Sequence, residues 1–140
     1  MTIARQPTNR KGTVAVVQRG GRLLVIRRSR AVVTPGAYCF PGGGIESGET
    51  EQGALVREFR EDLGVDIIPV RRIWESVTSW GVMLAWWQAE LPLAPPLTPN
   101  PAEVESVHWI FRDELPTLAG LLESNRHFLD ALARGEIELR

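Results

Sequence analysis

Cysteine is nearly missing from this chain: Cys39 is the only one in 140 residues, so no internal disulfide forms and the fold has to rest on burial. No apolar run reaches the length of a membrane span, and no N-terminal stretch has the pattern of a secretion signal. The expected setting is therefore cytoplasmic, with no membrane partner. Charge of one sign is lacking too. A formal net charge of -1 and a pI near 6.1 argue against binding nucleic acid by bulk electrostatics. The two histidines, His108 and His127, have neither the spacing of a metal pair nor that of a catalytic triad, and read as structural. Lysine is almost absent, since 15 of the 16 basic residues are arginine. Arginine suits bidentate contacts with phosphate, although genomic base composition explains most of such a bias. What remains is an ordinary globular composition, with room for one domain that buries roughly two-thirds of its unfolded surface.

Residues 1–11 carry no periodicity and are expected to form a frayed arm before a single domain over 12–140. Thr13 to Gln18 and Leu23 to Arg28 are rich in aliphatic and β-branched residues around Gly20-Gly21, which predicts a hairpin. Ala31 to Phe40 reads as a loop returning the chain to Pro41–Gly44, a glycine turn where backbone can approach a ligand closely. Ile67 to Thr78 and Val82 to Leu91 predict two further strands, Pro69 marking an edge, with Trp80 in their connection. Pro92 to Pro101 is a stiff surface loop, and Glu103 to Phe111 alternates as a strand does. Leu115, Leu118, Leu121, Leu122, Phe128, Leu129 and Leu132 predict a closing helix, with Ser124 as N-cap and Gly135 as C-cap.

Between these strands lies a helix crowded with acids. Thr50 before Glu51 and Gln52 is an N-cap signal, and Gly64 is a left-handed C-cap. With Leu55 at zero, Phe59, Leu63 and Val56 fall at about 40°, 80° and 100° on the helical wheel, a core stripe. Glu51, Glu58, Glu61 and Asp62 share a sector between about 240° and 340° beside it. Like charges so spaced repel unless neutralised. One reading is a solvated face in which Arg57 pairs with Glu61; the other is a site for a hard divalent cation, because Mg²⁺ takes a few carboxylates together with phosphate oxygens and water. Cys39, flanked by Tyr38 and Phe40, reads as packing.

The spacing of Gly43, Glu49, Arg57, Glu58, Phe59, Glu61, Gly64 and Val65 resembles the Nudix box, G-x5-E-x7-R-E-U-x-E-E-x-G-U, over residues 43–65. Asp62 alone departs from it, standing where the box has glutamate. Phe40-Pro41-Gly42 resembles the lead-in of MutT-type members. The resemblance implies an α/β fold of αβα sandwich form, a mixed sheet between helices. It also implies hydrolysis of a phosphoanhydride bond in a nucleoside diphosphate linked to some moiety X, with Mg²⁺ or Mn²⁺. By position it makes Glu58, Glu61, Asp62 and the Gly43 carbonyl the metal ligands. Glu61 is the leading base, with Glu58 beside it, and Arg57 and Glu49 are the pair that braces helix against loop. Outside the box it suggests Arg27 for phosphate, while the glycine run makes Gly42 a candidate phosphate cradle and its aromatic face makes Trp80 a candidate to stack on a nucleobase. Glu103 and Glu105 are the best placed extra carboxylates, Glu105 being assigned to the substrate side. The partner implied is a small nucleotide, with nucleoside triphosphates as the default, and members of the family often form homodimers. A shorter Asp62 keeps a second class open, a Nudix-like module that binds nucleotide without turning it over.

Overall fold

The structure is a computed structural model and describes residues 10–140. Most of the expected N-terminal arm lies outside the described residues, but its last residue does not. Lys11 already opens the first strand, β1 (Lys11–Val16). The chain continues through β2 (Gln18–Arg19), β3 (Arg22–Arg28), β4 (Tyr38–Cys39), β5 (Gly42–Gly44), α1 (Glu51–Leu63), β6 (Ile68–Val77), β7 (Met83–Glu90) and β8 (Val104–Phe111), to α2 (Glu123–Ala133).

Two four-stranded sheets form the middle layer. One has the order β5-β1-β7-β6, in which β1 and β7 are parallel and the other pairs antiparallel. In the other, β3 lies between β4 and β8, with β2 paired to its start. The predicted hairpin is thus real only for β2 and β3, joined by Gly20 and Gly21, both at positive φ. Its first half is corrected. Thr13 to Val16 lies in the other sheet, and the chain passes between sheets at the buried Val17.

Alternation along β1 and β3 sends side chains into two cores. Val14, Val16, Leu23 and Val25 face α2, where Phe128 stacks on Trp86 with ring centroids 4.6 Å apart. Ala15, Val17, Leu24 and Ile26 face Leu55, Phe59 and Leu63 of α1. Strands covered on both faces read as continuous apolar runs, as these do. The layers are helix, sheet, helix.

Two local expectations change. Pro41–Gly44 is not a turn: Gly42, Gly43 and Gly44 form the edge strand β5, in register with Val14, Thr13 and Gly12. The closing helix starts at Glu123, with Leu122 at its N-cap and no side-chain cap from Ser124. Of the leucines before it, Leu115 instead opens a 3₁₀ turn at Leu115–Thr117, and Leu118 ends that turn. Pro116 cannot donate to a longer helix there. Among the described residues, no helix is long and apolar enough to cross a membrane.

Candidate active site

Helix α1 holds the acids because its ends are set locally. The Thr50 hydroxyl accepts from the Gly53 N–H at 2.9 Å, and Gly64, at φ 68°, donates to the Arg60 carbonyl. Within α1 the four acids separate. Glu51 does not join the others: its carboxylate accepts from Arg72 Nε and Trp87 Nε1, each at 2.9 Å, and belongs to the sheet edge.

Arg57 organises the rest. Its guanidinium grips Glu49 with Nε at 2.7 Å and Nη2 at 2.9 Å, and Nη2 also donates to the Gly44 carbonyl. Nη1 reaches Glu58 at 2.9 Å and Glu61 at 3.1 Å. The hydrogen bonds that Arg57 donates hold the Glu49 carboxyl below its usual range, and the same bonds raise Arg57 in turn. The fork thus ties the helix to β5 and to the loop after it.

Glu58 lies against Gly43 so closely that a Cβ there would meet its carboxylate at 2.2 Å. Glycine is required at 43 by that close approach and not by a turn. Burial, and then the charges of Asp62 and Glu61, push the Glu58 carboxyl up to about 7 against the pull of Arg57. Burial also raises Asp62, as does the charge of Glu103.

Glu58, Asp62 and Glu103 line one cleft of about 710 Å³, together with Gly42, Gly43, Arg28 and Trp80. Trp80 is 55% exposed, unlike the wholly buried Trp86, and stands free to meet a ligand. Glu61 is placed differently. It lines a separate groove on the outer side of α1 with Gln52, Val56 and Arg60.

Arg27 and Glu105 are not in the cleft lining. They pair with each other at 3.2 Å, while Arg27 Nε donates to the Gly36 carbonyl and its guanidinium lies over Tyr38. The neighbours Arg28 and Glu103 take the cleft positions instead. The reason is strand parity together with a register shift between Arg27 and Arg28 opposite β8. Alternation groups Arg28 with Leu24 and Ile26, a signal present in the sequence, but only the packing tells which face turns to α1.

Among the described residues no three His, Cys, Asp or Glu side chains converge on one point as they stand. The donor set is nevertheless all oxygen and crowded, with two carboxyls raised by burial and by the charges of neighbouring acids. A hard divalent ion that keeps several waters and needs few protein ligands fits such residues.

The NUDIX domain family model matches residues 8–132. The chain is a member of the Nudix hydrolase family. Nudix hydrolases generally use divalent metals. The chain is 31% identical over 120 residues to the NAD-capped RNA hydrolase NudC of Stutzerimonas stutzeri, covering 84% of this chain and 42% of that protein. It thus spans less than half the length of that relative. Over 52 residues it is 38% identical to the CTP pyrophosphohydrolase of Escherichia coli, 37% of this chain and 38% of that one. The MutT protein from Methanosarcina mazei superposes with a TM-score of 0.74 at 18% identity, over 90% of this chain and 94% of that chain. That superposition shows the Nudix α+β sandwich fold.

Proposed function

We propose that this Nudix domain is a nucleotide pyrophosphohydrolase, dependent on Mg²⁺ or Mn²⁺, that cleaves a phosphoanhydride bond of a nucleoside diphosphate linked to a further moiety. A nucleoside triphosphate or another small nucleotide is the substrate class. The observation that carries the reading is the meeting of Glu58, Asp62 and Glu103 with Arg28 and Trp80 in one cleft. Relatives whose names describe the hydrolysis of CTP and of an NAD cap support it.

Glu58, Asp62 and Glu103 would hold the ion, with the Gly43 carbonyl beside them. When bound, the ion neutralises charge on the phosphoryl oxygens and makes its water more acidic. In the reaction the water oxygen bonds to phosphorus, the bridging P–O bond breaks, and the water proton passes to a carboxylate. Glu58 suits that role by position in the cleft; its carboxyl is pushed up to about 7 in the metal-free protein, and the charge of a bound ion would pull it down again. Glu61 is the other candidate base: Arg57 donates to it as it does to Glu58, and it differs in facing the outer groove. Arg28 keeps Nε on the Val33 carbonyl at 2.6 Å, which leaves its Nη groups for phosphate. The indole of Trp80 offers a face on which any base can stack.

The test is hydrolysis of a nucleotide panel (triphosphates, oxidised triphosphates, sugar-linked diphosphates, dinucleotides, coenzyme A) with Mg²⁺ or Mn²⁺, products being resolved by chromatography. Glu58→Gln is expected to abolish turnover and Glu61→Gln to reduce it less. A second reading, a module that binds nucleotide without turnover, draws on the hold Arg57 has on two of the carboxylates. Asp62→Glu separates the two: a large gain in turnover marks a decayed site, no gain a working variant.

A further inference from the structure

The proline-rich loop after β7 has a function that its composition does not suggest. Carboxylates in the last turn of a helix sit at the negative end of its dipole, where the final carbonyls also lack intrahelical donors. In α1 those carbonyls belong to Glu61, Asp62 and Leu63, and the loop supplies the donors. Thr98 N–H donates to the Leu63 carbonyl and Asn100 N–H to that of Asp62, both at 2.8 Å. Asn100 Nδ2 donates to the Glu61 carbonyl at 3.3 Å.

The same Asn100 turns the chain toward the cleft. Its Oδ1 accepts from Ala102 N–H at 3.1 Å, and its carbonyl accepts from Glu103 N–H at 2.9 Å and from Val104 N–H at 2.8 Å. The Glu103 carbonyl then accepts from Ser29 N–H at 3.0 Å, and the Ser29 hydroxyl donates to Ala102. Pro99 and Pro101 flank Asn100 and restrict the backbone on both sides. One residue thus joins the backbone of two box acids to that of the cleft acid outside the box.

We propose that Asn100 is a positioning residue that sets Glu103 at its distance from Asp62 for joint binding of a divalent cation. The inference rests on the metal-dependent reading of the cleft. Residues that hold ligands in place typically change metal affinity by about 10- to 100-fold when removed.

The experiment titrates the whole chain with Mn²⁺ alone and reads the free ion by electron paramagnetic resonance, beside a thermal melt of each variant. Asn100→Ala is expected to weaken Mn²⁺ binding about tenfold. Glu103→Gln is expected to weaken it at least as much, and the double variant no further than Glu103→Gln alone, because Asn100 acts through Glu103. Asn100→Ser, whose hydroxyl still accepts from Ala102 N–H, should recover part of the loss, and it carries the test if Asn100→Ala does not fold. Wild-type affinity in Asn100→Ala with only a lowered melting temperature overturns the proposal, as do losses that multiply in the double variant. Absence of Mn²⁺ binding in the wild type overturns the metal-dependent reading itself.

Discussion

Arg57 and Gly43 show how much of the site hangs on single atoms. Arg57 donates to three carboxylates and one carbonyl, has a fourth carboxylate, that of Glu46, 3.7 Å away, and is itself only 22% exposed. Arg57→Ala leaves those carboxylates facing one another, and removing hydrogen bonds of a charged group costs about 1.5–3 kcal/mol. A loss of about 2 kcal/mol is expected in urea unfolding. At Gly43 the argument is steric. A methyl group would displace the Glu58 carboxylate, and a shift of about 1 Å in a catalytic group can cost on the order of 100-fold in rate. Gly43→Ala is therefore expected to lose about 100-fold in kcat while its melting curve stays near that of the wild type. The residue types of the box make Glu49, Arg57 and Glu58 legible in the sequence, because their spacing is local. Arg28 and Glu103 were not legible as the cleft pair, since Arg27 and Glu105 stand one and two positions away and only packing breaks the tie.

At the level of elements, α1 was readable from end to end because a helix is specified by its own sequence. Thr50 caps it and Gly64 ends it as the pattern implied. Thr50→Ala should lower stability by about 1 kcal/mol, measured by urea unfolding, with kcat of the folded enzyme unchanged. The strands were readable as strands but not as neighbours. Nothing within Gly42–Gly44 says that three glycines pair with β1, because pairing is decided by residues 30 positions away. The same holds for β1 itself, which looks like half of a hairpin and pairs elsewhere. The proline loop was legible as a loop, whereas its contacts with the last turn of α1 depend on where β8 must begin.

For the whole molecule, the fold class followed from the resemblance to the Nudix box, with which the order of elements agrees, and the cleft followed from neither. Its electrostatics nonetheless predict how the metal-free protein responds to pH. Glu58 has a folded value near 7 against 4.5 for an ordinary glutamate, and Asp62 is raised as well. Because the folded state binds the extra proton, stability from this cluster is complete below about pH 4.5 and is lost as pH rises through about 7. The cluster is open to solvent on one side, so the loss is on the order of 1 kcal/mol, or roughly 3–5 °C in melting temperature between pH 5 and 8. Glu58→Gln should flatten that dependence. Added Mn²⁺ should restore stability at pH 8, since an ion that binds only the folded state shifts the equilibrium toward it.

The passage of one strand run between two sheets at Val17 also has a mechanical meaning. β1 and β5 form one wall of the cleft, while Arg28 at the end of β3 and Cys39 of β4 stand on the other. Both walls are anchored to the same buried bend, where Leu24 N–H donates to the Val17 carbonyl at 3.0 Å. On the proposed function, the width offered to a nucleotide is therefore fixed by that bend in the sheets, whereas Val33 and Trp80 reach the cleft from loops.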